Sequence, residues 1–240
     1  MLADPAALRV MEKLYGPEQI RKFLKYELDR YLRARGSERL EELPLARVEN
    51  QGYIHYQKGG LAMYLLKEEV GVEVVDRTLR RLLGEFAFKP APYANASDFL
   101  RVLREEAGPD HEQLITDLFE RITLYDLKLE TAESRKLADG RWQTTLAVRA
   151  RKLYVDGQGK ETSTPLDGNF EIGLFKAEPG KSDFTRESVL RFERRNLRDG
   201  DQKIVLYSAE KPAFAGVDPY NKRIDRDADD NVLRVEEKSP

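Results

Sequence analysis

The stretch Thr123-Leu124-Tyr125-Asp126-Leu127-Lys128-Leu129-Glu130-Thr131 is where the pattern of the chain changes. From Leu127 onward apolar and charged residues alternate, which is the period of a half-buried strand. Upstream, apolar residues recur three and four apart: Ile20, Phe23, Leu24, Leu28, Tyr31 and Leu32, then Leu61, Tyr64 and Leu65, then Val75, Leu79, Leu82, Leu83 and Phe86. Such spacing lays a stripe along one face of a helix. Gly16-Pro17, Gly71 and Gly108-Pro109-Asp110 punctuate the helices, and Ser97 reads as the N-cap of the one carrying Phe99 to Leu103. Downstream, Trp142, Thr144, Leu146 and Val148 alternate, and turn signals stand at Asp139-Gly140, Asp156-Gly157-Gln158-Gly159 and Pro179-Gly180. The chain therefore reads as α+β. An α-helical bundle is expected over 1–125 and an antiparallel, immunoglobulin-like β-sandwich of short strands over 126–215. An irregular tail, 216–240, is expected to wrap on a surface or stay mobile.

Composition narrows the chemistry. The 240 residues carry 41 Lys and Arg against 43 Asp and Glu, a net charge of -2 that argues against a nucleic-acid partner. Arg30, Arg33, Arg35 and Arg39 are interspersed with Glu27, Asp29 and Glu38, so they read as a solvated helix face. The count of zero Cys excludes disulfides, thiol nucleophiles and Cys-ligated metals, and 2 His leave too few imidazoles for a self-contained zinc or Ser-His-Asp enzyme. No apolar run reaches the ~18 residues of a membrane span, and Met1 to Val10 lacks the pattern of an export signal, so a soluble piece is expected.

Three segments invite a chemical reading. His111-Glu112-Gln113-Leu114-Ile115 begins like a zincin helix but has Ile115 where a second His must share the metal, and is rejected. Asp225-Arg226-Asp227-Ala228-Asp229-Asp230 places oxygens as in a calcium loop, but Asp230 occupies the required Gly position; a solvated acidic turn is expected. The third is Tyr53-Ile54-His55-Tyr56-Gln57-Lys58-Gly59-Gly60, at the entrance of a helix after the long non-periodic connection Gly36 to Gln51. A phenol near a helix N-terminus can donate a hydrogen bond to developing negative charge. The same residues also read as packing, with Tyr53 and Tyr56 filling a gap while His55 and Lys58 reach water.

Tyr56-Gln57-Lys58-Gly59, followed by Leu61-Ala62-Met63-Tyr64-Leu65-Leu66 and Val70-Gly71, resembles the tyrosine-x-lysine-glycine motif of the aminopeptidase N family of zinc metallopeptidases, the gluzincins. The stretch Val10 to Tyr125, with Phe23-Leu24-Lys25-Tyr26-Glu27-Leu28 and Glu42-Leu43-Pro44-Leu45-Ala46, is similar to a bacterial branch in which the peptidase is fused behind an ABC-transporter permease. Ala215-Gly216-Val217-Asp218-Pro219-Tyr220-Asn221-Lys222 looks like the end of that branch's β-domain. The resemblance implies the C-terminal half of a catalytic domain in which Tyr56 stabilises the tetrahedral intermediate of peptide hydrolysis, with Tyr53 and His55 lining the substrate groove. It implies zinc in the intact parent, and none in this fragment, because the family's His-Glu-x-x-His helix and second Glu helix do not appear. The fragment alone is expected to be inactive. The implied partners are the peptide substrate, the rest of the catalytic domain and a permease domain of a bacterial inner-membrane protein. An uncovered apolar face would also promote self-association. The rival reading is a non-catalytic peptide- or protein-binding module.

Overall fold

The computed structural model describes residues 3–238; positions 1, 2, 239 and 240, at the outer ends of the expected segments 1–125 and 216–240, lie outside it. Helices come first: α1 (Ala3–Tyr15), α2 (Ile20–Ser37), α3 (Gly59–Val70), α4 (Val72–Phe86), α5 (Ala96–Ala107) and the short α6 (Glu112–Ile115). Strands follow: β1 (Ile122–Lys136), β2 (Trp142–Val155), β3 (Glu161–Thr164), β4 (Asp167–Phe175), β5 (Val189–Arg198), β6 (Gly200–Ser208), β7 (Phe214–Val217), β8 (Val232–Arg234) and β9 (Glu236–Glu237). The architecture is α+β, a helical N-terminal region followed by a two-sheet β-sandwich. No helix among the described residues is long and apolar enough to cross a membrane.

Gly16 and Gly71, with φ of +91° and +89°, terminate α1 and α3 in a conformation that side chains resist. The cap of α5 is Asn95 and not Ser97. The Asn95 side chain accepts from the amides of Ser97 and Asp98, and the Asp98 carboxylate accepts from the Asn95 amide in return. Ser97 is already inside the first turn, where its amide needs the partner that Asn95 provides.

One sheet runs β3-β2-β1-β9, with β6 also on β2, and the other runs β5-β4-β7-β8. Strands β1 and β2, at 15 and 14 residues, are longer than the short strands expected. Length lets β2 serve two neighbours on one edge: Lys152 to Val155 pair with β3, and Trp142 to Ala150 pair with β6. Leu127, Leu129, Leu146 and Val148 meet Phe170, Ile172, Leu174 and Val217 from the other sheet in the sandwich core. A second core lies within the helices, around Ile54, Leu66, Phe99, Leu103 and Phe119. The third joins the two halves: Leu24, Leu28, Tyr31, Leu61 and Tyr64 pack with Leu124, Leu153, Phe175, Phe184 and Tyr220. Helices and sandwich thus share apolar interior across the change of period at Tyr125.

The tail departs most from expectation. Gly216 to Lys222 carry β7 into a turn that is mostly buried, and Ile224 and Ala228 enter the core shared with the helices. Polar residues reach the interior there because their side chains take over backbone partners. Asp218, with φ of +41°, accepts from the amides of Lys222 and Arg223 at 3.1 and 2.9 Å. Asp225, 0% exposed, accepts from the amides of Leu127 and Asp227, each at 3.1 Å. The expected solvated acidic turn is therefore wrong at its first residue. With both oxygens of Asp225 committed to amides, the calcium-loop reading gains no support.

A Cβ on Gly173 would stand 2.2 Å from the ring of buried Phe175. Gly173→Ala is expected to cost about 1–3 kcal/mol in chemical denaturation. Burial raises the Asp225 carboxyl from 3.8 to about 8, against the pull of the Asp227 and Leu127 amides. A raised folded-state pKa adds stability below the unfolded value that is lost as pH climbs through about 8. The Tm of Asp225→Asn relative to the unmodified chain should rise between pH 5 and pH 9; a flat difference would contradict the assignment.

Candidate functional site

The entrance of α3 is not a plain α-helical start. Gln51 receives the amides of Ile54 and His55 on its carbonyl, at 3.0 and 3.2 Å, and Ile54–Lys58 then form a π-helical turn. The Gly59 amide closes it by reaching the Ile54 carbonyl five residues back. A π turn widens the helix and rotates consecutive side chains out of α register, and such turns concentrate at functional sites. Here the rotation separates the residues singled out from sequence.

Tyr56 points outward, 54% exposed, and its hydroxyl has no hydrogen-bond partner among the described residues. His55 is half-buried and donates through Nε2 to the Glu49 carbonyl at 2.9 Å, which ties its ring to the preceding turn. Tyr53 turns inward and stacks on Tyr31, with ring centroids 6.0 Å apart. Its hydroxyl is enclosed without a hydrogen-bond partner. Burial, then the carboxylates of Glu42 and Glu38, push the Tyr53 phenol up to about 12. Position therefore supports packing for Tyr53, an anchored ring for His55, and an available donor for Tyr56.

Lys58 does not reach water as the packing reading expected. It is 1% exposed, and Nζ lies 3.2 Å from Glu42 Oε1. Glu42, in the connection after α2, also accepts from the Tyr31 hydroxyl at 2.5 Å and from Arg35 Nε at 2.6 Å. Arg35 therefore leaves the solvated face assigned to it and turns toward the interior. Burial lowers the Lys58 pKa, opposed by the attraction and hydrogen bond of Glu42. Tyr31 is raised well above its ordinary value by burial and then by Glu42. The cluster pins the π turn from below and leaves Tyr56 on its outer side. Glu42 stood in a stretch quoted for its resemblance and in a connection too long to be idle, but neither signal pointed to a buried carboxylate.

The fit to zinc is poor. Among the described residues no group of three or more His, Cys, Asp or Glu side chains is placed to hold a metal. His55 spends Nε2 on Glu49, and His111 directs Nδ1 at the Ala107 carbonyl, 2.9 Å away.

Removing one member of a buried ion cluster leaves the others uncompensated. Glu42→Ala is expected to cost about 3–5 kcal/mol by that mechanism, measured by denaturant unfolding. The double variant Glu42→Leu with Lys58→Met should recover a large part of the loss, because it removes the stranded ammonium as well. Additive losses would contradict the coupling. Compared with protein-family models and with curated proteins, the chain matches none.

Proposed function

We propose that the chain is the C-terminal portion of a gluzincin-like metallo-aminopeptidase, in which Tyr56 donates a hydrogen bond to the oxyanion of the tetrahedral intermediate. The observation that carries this reading is the placement of Tyr56, exposed and unpartnered on a π turn held from beneath by the buried pair Lys58 and Glu42. A donor for transition-state charge must be free in the ground state and rigidly aimed, since reorganisation at the moment of reaction costs rate. The tyrosine-x-lysine-glycine motif then acquires a division of labour: Tyr56 faces the substrate and Lys58 fixes the turn. Residues two positions apart fall on opposite sides of a helical turn, which places Tyr56 and Lys58 in opposite environments.

In this reading the metal and its activated water come from parts of the parent outside these residues, and the substrate is a peptide with a free N-terminus. The chain by itself does not hydrolyse peptides. Exposure of Tyr56 keeps the test clean, because removing one surface hydroxyl changes stability by about 0.5 kcal/mol or less. Tyr56→Phe in the full-length parent is expected to lower turnover by about 10²–10³ with bound zinc and Tm unchanged. Turnover within twofold of the unmodified enzyme would exclude the role, and would favour the rival reading as a non-catalytic binding module.

A further inference from the structure

A cleft of about 700 Å³ opens where the corner between α1 and α2 meets the sandwich. Tyr64 and Glu68 of α3 line it, 8 and 12 positions beyond Tyr56. At ~1.5 Å of rise per residue that is roughly 12–18 Å along the helix axis, so the cleft is separate from Tyr56. Its charged residues fall into two classes. Glu12, Glu68 and Lys222 are committed to the protein. Glu12 accepts from Tyr64 at 2.9 Å and from Lys67 at 2.7 Å, Glu68 from Lys67 at 2.8 Å and from Lys222 at 2.5 Å, and Lys222 also reaches Glu171 at 2.7 Å.

Glu18 and Arg186 are the other class. Glu18 stands in the turn that begins α2, Arg186 in the turn that begins β5, and both line the cleft without an ion pair or side-chain hydrogen bond among the described residues. The neighbour of Arg186 in the chain, Glu187, hydrogen-bonds the Thr185 hydroxyl and feels the Arg186 charge without forming an ion pair with it. A Cβ on Gly16 would lie 2.3 Å from Glu18 Oε1. The bare Cα at Gly16, with its φ of +91°, is what lets the Glu18 carboxylate fold back over the helix corner. The same cleft has an apolar and aromatic part of its wall. The Tyr220 ring stacks on Phe192 at 4.9 Å with 23° between planes, and Val189 borders them.

We propose that this cleft binds a small zwitterion with an apolar or aromatic side chain, a free amino acid or a short peptide. Glu18 receives the ammonium, Arg186 the carboxylate, and Tyr220 with Phe192 the side chain. A planar guanidinium matches a carboxylate bidentately, and a carboxylate not already paired inside the protein is the natural seat for an ammonium. The volume lies within the ~300–1,000 Å³ typical of small-molecule sites. The proposal does not rest on the hydrolytic role of Tyr56, and a failed Tyr56→Phe test would leave it standing.

Calorimetric titration of the intact chain tests it, with L-phenylalanine, the dipeptide leucyl-phenylalanine, N-acetyl-L-phenylalanine and L-phenylalaninamide as ligands. The zwitterions are expected to bind at least about tenfold more tightly than either capped analogue, one charged hydrogen-bonded contact being lost in each. Tighter binding of the dipeptide than of phenylalanine would identify a peptide terminus as the source, and the reverse a free amino acid. Glu18→Gln should weaken zwitterion binding about tenfold and leave N-acetyl-L-phenylalanine unaffected; Arg186→Gln should leave L-phenylalaninamide unaffected. Neither side chain is buried, so both variants should keep the Tm of the unmodified chain. No binding at millimolar ligand, equal affinity for capped and uncapped forms, or unchanged affinity in both variants would overturn the proposal.

Discussion

Glu42 carries a negative charge into a place with almost no access to water, and three donors converge on it from two helices. A buried carboxylate is tolerated only when its lone pairs are met, and these are met by Tyr31 and Arg35 of α2 and by Lys58 at the entrance of α3. The residue comes from the connection between those helices, so its pairing fixes how the connection is folded. Its amide also donates to the Gly157 carbonyl at 2.8 Å, in the turn between β2 and β3. One residue therefore relates α2, the π turn and the edge of the sandwich to one another. The outward aim of Tyr56 and the inward stacking of Tyr53 on Tyr31 both depend on that junction.

The large division of the molecule was legible because periodicity reports burial directly. Leu24 and Leu28 on α2 and Leu127 and Leu129 on β1 are all within 1% of complete burial. Elements whose burial does not alternate were harder to read. Strand β5, Val-Leu-Arg-Phe-Glu-Arg-Arg-Asn-Leu-Arg, lies at a sheet edge with most side chains partly or fully exposed, so nothing forced a two-residue pattern on it. The tail was misread for a related reason. Asp218 and Asp225 look like surface residues in composition, yet their environment is set by backbone groups that no single-residue property reveals. At the candidate site, Tyr56 and Lys58 were visible as types in a motif. The burial of Lys58 was not, because the carboxylate that draws it inward, Glu42, lies 16 positions away in the chain.

The ion pairs between α3 and the sandwich form a second layer of organisation. Glu68 meets Lys222, and Glu69 meets Arg194 and Arg223 at 2.9 and 2.7 Å. Most of these groups are poorly exposed, so solvent screens them less than an ordinary surface pair. Together with the shared core around Phe175, Phe184 and Tyr220, they tie the helices to the sandwich beside the cleft. The helical half and the sandwich therefore behave as supports for one another, and the charges left over, Glu18 and Arg186, line the same cleft.

The burial of Ile224 and Ala228 among residues from α1 and α2 has a consequence for biosynthesis. A chain emerging from the ribosome makes its helices first, and domains commonly fold as they emerge. Here Leu24, Leu28 and Tyr31 share a core with Ile224 and Ala228, roughly 190–200 positions later in the chain, so the nascent helices lack part of their cover until that segment has been made. Ile224 and Ala228 thus act as a wedge added after the helices are made, and helices still lacking it would offer a holding chaperone an apolar binding surface.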